Sequence, residues 1–149
     1  MAKLVFRTDA RGSEIDAITR KALWEQGMDY NHGTGHGVGY CLGVHEFPPT
    51  ISKNSDSVLM IGQLLSNEPG FYIPRKFGIR LENLILVKKF SNSIHNKFFC
   101  FETVSFCHFE NTLINKDLLD KKEVHWLNDY HETVFHLSLI HISEPTRPY

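Results

Sequence analysis

Apolar residues recur at helical spacing in two stretches and at strand spacing in two others, with a glycine-rich segment lying between. From residue 13 the spacing predicts an amphipathic helix. Ser13 stands as N-cap with Asp16 three residues on, Ile15, Ile18, Ala22 and Leu23 share a face, and Gly27 supplies the stop. Residues 31–39 carry glycine at every second position from Gly33. That pattern suits an extended segment to which other backbone comes close, not a helix interior. A loop or short strand follows as far as Val44. Residues 63–68 read as a strand stopped by Pro69-Gly70, and residues 77–87 as one long strand, fully apolar at its far end and expected to be buried. A turn at Ile73-Pro74-Arg75-Lys76 joins the two as a hairpin. A second helix is predicted from Asp120, where Glu123 takes the reciprocal capping position, with Val124, Leu127, His131, Val134 and Phe135 on one side. Residues 138–149 are not expected to continue it, because Pro145 and Pro148 are helix breakers. The pattern as a whole predicts an α+β fold.

Composition narrows this picture only a little. A chain of 149 residues has room for one core, and a net charge of −1 with scattered bases gives no reason to expect nucleic acid or an anionic membrane as partner. The longest apolar runs, such as Leu84-Ile85-Leu86-Val87, fall far short of the roughly 20 residues of a membrane span, and residues 1–7 lack a signal-peptide core. A cytoplasmic location is the expectation. Cys41, Cys100 and Cys107 form no Cys-x-x-Cys pair, which fits a reducing compartment, argues against a thiolate zinc site and predicts inert packing residues.

The chemistry concentrates in His32-Gly33-Thr34-Gly35-His36-Gly37-Val38-Gly39 followed by Val44-His45-Glu46. A dinucleotide loop is excluded because Val38 and Tyr40 stand where its third glycine belongs, and a zincin helix because no Glu lies between His32 and His36. In an extended segment residues two apart share a face, so His32, Thr34 and His36 are expected to form one polar wall. Glu82 falls inside the strand predicted to be buried, where an anion needs a cation; Arg80, two residues away, is the nearest. Glu68 ends the preceding strand. One His and two Glu make a set suited to manganese, cobalt, zinc or iron, although two dications close together call for more carboxylates than these.

These blocks, with Asn67-Glu68-Pro69-Gly70-Phe71-Tyr72 and Phe77-Gly78-Ile79-Arg80-Leu81-Glu82-Asn83, resemble the second half of the catalytic domain of aminopeptidase P, the Xaa-Pro aminopeptidase of the pita-bread metallopeptidases. The resemblance extends to Ala22-Leu23-Trp24, Gly27-Met28-Asp29-Tyr30, Phe101-Glu102-Thr103 and Trp126-Leu127-Asn128-Asp129-Tyr130-His131. It implies the pita-bread (creatinase/aminopeptidase) fold, second half only, with a carboxyl-terminal helical extension. Residues 1–90 would be the catalytic half and 91–137 the extension, while residues 138–149 separately resemble a translated sequencing-adapter read and are expected to be a non-native tail. The family resemblance further implies His36, Glu68 and Glu82 as metal ligands, Glu82 bridging both ions. Glu68 would double as general base, passing a proton to the departing proline nitrogen, and His45 would donate to the scissile carbonyl. His32 would line the pocket near proline, and Arg80 would orient a carboxylate ligand. The implied cofactors are two divalent ions, Mn(2+) foremost with zinc, cobalt or iron as alternatives. The implied partners are peptides with proline at the second position, and a homodimer of the full-length protein is compatible with it.

The family also has two aspartate ligands and another histidine upstream. Asp9, Asp16 and Asp29 do not fit that pattern, so the chain is expected to be an inactive fragment. Phe47 stands where the family often has a small residue. Two alternatives stay open: a metal-free pita-bread module that binds protein partners, and a prolidase-type dipeptidase.

Overall fold

The computed structural model describes residues 1–39, 41, 43–46, 50–92 and 97–143, the side chains of 139–143 excepted. Phe47 and residues 144–149 lie outside the described residues. The chain divides into two units, Met1–Ser105 and Phe106–Tyr149.

The first unit opens with β1 (Val5–Arg7) and α1 (Gly12–Trp24), then runs through β2 (Gly35–His36), β3 (Thr50–Ile51), β4 (Leu64–Asn67), β5 (Gly70–Ile73), β6 (Phe77–Arg80), β7 (Asn83–Lys89) and β8 (Phe98–Thr103). One four-stranded sheet has the order β1-β8-β7-β4; β2 pairs with β3 and β5 with β6, all antiparallel. Period-two alternation sends Leu65, Ile85, Val87 and Phe101 to the buried face, where Phe6, Ile15, Ile51 and Leu59 complete the core. On the other face of β7, Leu84 and Leu86 are half-buried and Lys88 is exposed, pairing with Glu102 of β8.

The predicted strand over residues 77–87 is two strands. β6 pairs with β5 and β7 with β4, and Leu81 and Glu82 lie in the break between them, Glu82 exposed instead of buried. The reason lies in the partner strand: Glu68-Pro69 interrupts it opposite Leu81-Glu82, and a proline has no N–H for the ladder. The turn at residues 74–76 closes the β5–β6 hairpin, with Arg75 in the left-handed region at φ 60°.

Helix α1 begins two residues earlier than its predicted cap at Ser13 allows. Arg11 occupies the cap position, and its backbone N–H donates to Glu14 at 2.7 Å. Asp16 is not a first-turn helper; it is 1% exposed and faces the protein interior. Ile18, expected on the apolar face, is 53% exposed, so the buried face is Ile15, Asp16 and Arg20.

The second unit holds two short 3₁₀ turns (Asn111–Leu113, Lys116–Leu118) and α2 (Lys121–Ser143). Its start is as predicted: Asp120 accepts the Glu123 N–H at 2.8 Å and the Glu123 carboxylate accepts the Asp120 N–H at 2.9 Å. Its inward face is centred on Tyr130, not on Val124 or Phe135, which are exposed. The Tyr130 ring stacks on Phe109 at 4.7 Å, and its hydroxyl donates to the Cys107 carbonyl at 2.8 Å. The helix also continues past residue 138, contrary to expectation, because no proline lies within residues 121–143 and Pro145 comes after them. Among the described residues no helix is long and apolar enough to cross a membrane. Cys41 and Cys107 are exposed, so the predicted packing role does not fit them, and Cys100 is half-buried.

Candidate metal centre

The glycine-rich segment folds as an extended strip laid along β4. Three hydrogen bonds stitch it there: Val38 N–H to Leu64 O (3.0 Å), Glu68 N–H to Thr34 O (2.8 Å) and His36 N–H to Ser66 Oγ (3.0 Å). The approach is close enough that a Cβ on Gly35 would stand 2.1 Å from the Ser66 carbonyl oxygen. This contact brings His36 and Glu68 together, with Nε2 and Oε1 3.2 Å apart and both side chains largely buried. Ser66 donates to the same Oε1 at 2.8 Å.

The arrangement calls for a cation. His36 Nδ1 lies 2.9 Å from the Gly37 carbonyl, which can only accept, so Nδ1 carries the proton. The Nε2 of a neutral ring then turns a lone pair toward a carboxylate oxygen. Two acceptors at that distance are held together by a proton or a metal ion between or beside them, and imidazole with carboxylate is the donor set of a divalent transition ion. The residues present therefore fit a metal.

The other Glu68 oxygen is engaged by Arg80, whose Nη1 lies 3.3 Å from Oε2. Arg80 thus pairs with Glu68 and not primarily with Glu82. Its Nε donates to the Tyr72 hydroxyl at 3.1 Å, and that hydroxyl meets His32 Nε2 at 2.9 Å. Since His32 Nδ1 faces the Gly33 carbonyl (2.8 Å), Nε2 is the acceptor and Tyr72 the donor. The hydrogen bond to Tyr72 holds the Arg80 guanidinium above its ordinary pKa, and the charges of Glu68 and Glu82 add to that. A path Glu68–Arg80–Tyr72–His32 results, and Tyr72 is the member that sequence reasoning left without a role. The signal was in the glycines. A side chain at Gly78, opposite Tyr72 in the hairpin, would meet its ring at 2.6 Å, and one at Gly70 would meet its hydroxyl at 2.5 Å.

His45 joins the pair, its ring centroid 4.1 Å from that of His36. Thr34 does not share the wall with His32 and His36; it is fully buried and hydrogen-bonds Asp16 and Tyr30. Glu82 is not part of a compact cluster: among the described residues no group of three or more His, Cys, Asp or Glu is fit to hold a metal ion. Its position is nonetheless specific. Asn67 faces Asn83 in one ladder and Gly70 faces Arg80 in the next, so the two ladders keep one register and Glu68 falls opposite Glu82 across the break. Asp16 and Asp29 are taken up by Arg20, and Asp29 also by Lys53; Asp9 pairs with Arg7 at the surface.

Comparison with known proteins decides the family. Residues 1–89 match the model of metallopeptidase family M24, and residues 97–146 match the C-terminal region of peptidase M24. The chain belongs to metallopeptidase family M24. A probable Xaa-Pro aminopeptidase P of Coprinopsis cinerea is 42% identical over 137 residues, 88% of this chain and 22% of that protein. The M24 chain superposes with a TM-score of 0.87 and 36% identity on an X-prolyl aminopeptidase from Caenorhabditis elegans, described as a cytosolic enzyme with a di-nuclear active site; the match covers 97% of this chain and 24% of that one. A prolidase from Pyrococcus horikoshii OT3 gives a TM-score of 0.53 at 33% identity over 65% of this chain and 25% of its own. The M24 chain spans about a fifth of the length of the curated relatives it matches.

Proposed function

We propose that this M24 chain supplies one half of a two-metal active site that hydrolyses the amino-terminal bond of peptides with proline second. The observation that carries the reading is the buried His36–Glu68 contact, with its second carboxylate oxygen fixed by Arg80. His36, Glu68 and Glu82 would hold the ions, manganese foremost. The register that opposes Glu82 to Glu68 supports both carboxylates as residues that would hold the ions, since two like charges facing across strands are otherwise unfavourable. Bound there, divalent ions would supply Lewis acidity and lower the pKa of water.

This chain's own residues do the rest. Glu68 holds and passes a proton, and Ser66 and Arg80 keep its two oxygens in place. His45, beside His36, donates a hydrogen bond to the carbonyl under attack. His32, fixed through Tyr72, borders the space for the proline ring. A cytoplasmic location is supported by the description of the Caenorhabditis elegans relative as cytosolic.

A prolidase-type activity is the second reading, favoured by the Pyrococcus match. The aminopeptidase reading takes precedence because its structural likeness covers the second unit as well. The test uses a polypeptide carrying this chain at the length of its relatives, supplied with manganese. Release of the first residue from Xaa-Pro-Xaa and not from Xaa-Ala-Xaa is expected. Cleavage of Xaa-Pro dipeptides alone would show a prolidase, and neither metal uptake nor cleavage would leave a protein-binding module.

A further inference from the structure

Beneath the site lies a buried ionic assembly that the proposed chemistry does not use. Arg20 and Asp16, one turn apart on α1, are each 1% exposed. Arg20 Nε donates to Asp16 Oδ2 at 2.7 Å. Its Nη1 donates to Asp29 Oδ1 and to the Tyr30 carbonyl, both at 2.7 Å, and its Nη2 to the His32 carbonyl at 2.6 Å. The Tyr30 ring lies 3.7 Å below the guanidinium. The other Asp16 oxygen accepts from Thr34 Oγ1 at 2.5 Å, and Thr34 Oγ1 in turn meets the Tyr30 hydroxyl at 2.5 Å. The ring of contacts is closed, from helix to loop and back.

Taking two ions out of water is not by itself stabilising, and apolar residues of the same volume often do as well. What the assembly provides is geometry. It fixes alternate residues of the strip, 30, 32 and 34, and the Thr34 carbonyl then accepts the Glu68 N–H. His36 lies two residues beyond.

We propose that Arg20 and Asp16 are positioning residues for the metal centre, setting His36 and Glu68 against each other through Thr34 without touching either. The consequence for metal rests on the reading of His36 and Glu68 as ligands, but the positioning is measurable with no metal present. Burial works against the charge of Arg20, yet its bonds to Asp16 and Asp29 outweigh that and keep its pKa above the ordinary value. Arg20 therefore stays charged throughout the working pH range, facing the carboxylates of Asp16 and Asp29. Lysine keeps the charge and loses the planar fork that reaches four acceptors at once.

The experiment is native-state amide hydrogen exchange on the 149-residue chain. In Arg20→Lys, exchange at Glu68 and Thr34 should accelerate at least about ten-fold, while Val87, bonded to Gln63 in the core sheet, stays within about two-fold. Thr34→Val should reproduce the pattern with the ion pair intact, and Thr34→Ser should restore protection. Equal acceleration of all these amides, which is what a plain core element predicts, would overturn the proposal, as would no change at Glu68. If Arg20→Lys does not fold, the two Thr34 variants decide the question on the same amides.

Discussion

Gly35 is the position at which stability and the candidate site are most tightly joined, and Gly35→Ala separates them. The added Cβ would stand 2.1 Å from the Ser66 carbonyl oxygen, where ordinary contact begins at 3.4 Å, so the strip must retreat from β4 by about 1.3 Å. The obstacle is backbone within a sheet and cannot rotate away. Overpacking of this kind costs about 1–3 kcal/mol. The retreat also stretches the His36–Ser66 and Glu68–Thr34 hydrogen bonds, each worth about 1 kcal/mol when buried. A total of up to about 3–5 kcal/mol follows, which at a slope of about 2 kcal/mol/M lowers the urea midpoint by about 1.5–2.5 M, read by far-UV circular dichroism. The internal control is Gly33→Ala. Its Cβ would meet nothing nearer than 3.4 Å, so its midpoint should move by no more than a few tenths of a molar. The His36–Glu68 contact at 3.2 Å should open in the Gly35 variant, and a crystal structure would show it. Equal midpoints for the two variants, or an unmoved His36–Glu68 pair in Gly35→Ala, would refute the claim that close backbone approach builds the site.

Four further outcomes are expected. In a polypeptide of the relatives' length, His45→Ala lowers kcat by about 10²–10³ with both ions retained, because its hydrogen bond matters chiefly in the transition state; metal analysis showing lost ions would make His45 a ligand. If Glu82 holds metal as proposed, Glu82→Gln should remove metal first, since a neutral amide is a far weaker ligand for a dication than a carboxylate, and full occupancy with full activity would reduce Glu82 to a neighbour of Arg80. The 149-residue chain alone should show neither saturable two-ion binding in calorimetry nor turnover of an Xaa-Pro-Xaa peptide, since no three-ligand group forms among the described residues. Burial, and then the nearby charge of His108, push the His131 pKa below its ordinary 6.5, and its Nε2 accepts the Phe109 N–H. The fold therefore prefers the neutral ring, so stability is complete above pH 6.5 and declines as pH falls toward the depressed value; His131→Gln should flatten that decline in urea midpoints between pH 7.5 and 5, and an unchanged slope would remove His131 from it.

The motifs and the existence of both helices were legible because apolar spacing, the glycine stop of α1 and the capping signal of α2 act within a few residues. Asp120 and Glu123 cap α2 by contacts three residues apart, which sequence spacing states directly. What escaped depends on pairing across distance. The break at Leu81-Glu82 is dictated by Pro69 on the opposing strand, and nothing in residues 77–87 themselves announces it. Asp16 read as a helix-start residue because its partners, Arg20 and Thr34, are visible only once the loop folds back on α1. The hydroxyl of Tyr72 links Arg80 to His32 because Gly78 lies directly opposite on the hairpin, which only the register reveals. The end of α2 was misplaced by giving Pro145 influence over residues 138–143, which lie before it and keep their helical bonds.

The ladders β4–β7 and β5–β6 share one register although the chain breaks between them, and that makes the turn at residues 74–76 a length gauge for chemistry it never touches. A residue added or lost at this exposed tip would slide one limb of the whole ribbon by a step. Every side chain of that limb would trade faces, and Glu82 would no longer stand across from Glu68. Surface loops ordinarily tolerate insertions, but this one should vary in composition and not in length. A family survey of turn lengths would therefore read out selection on a carboxylate pair at the far end of the hairpin.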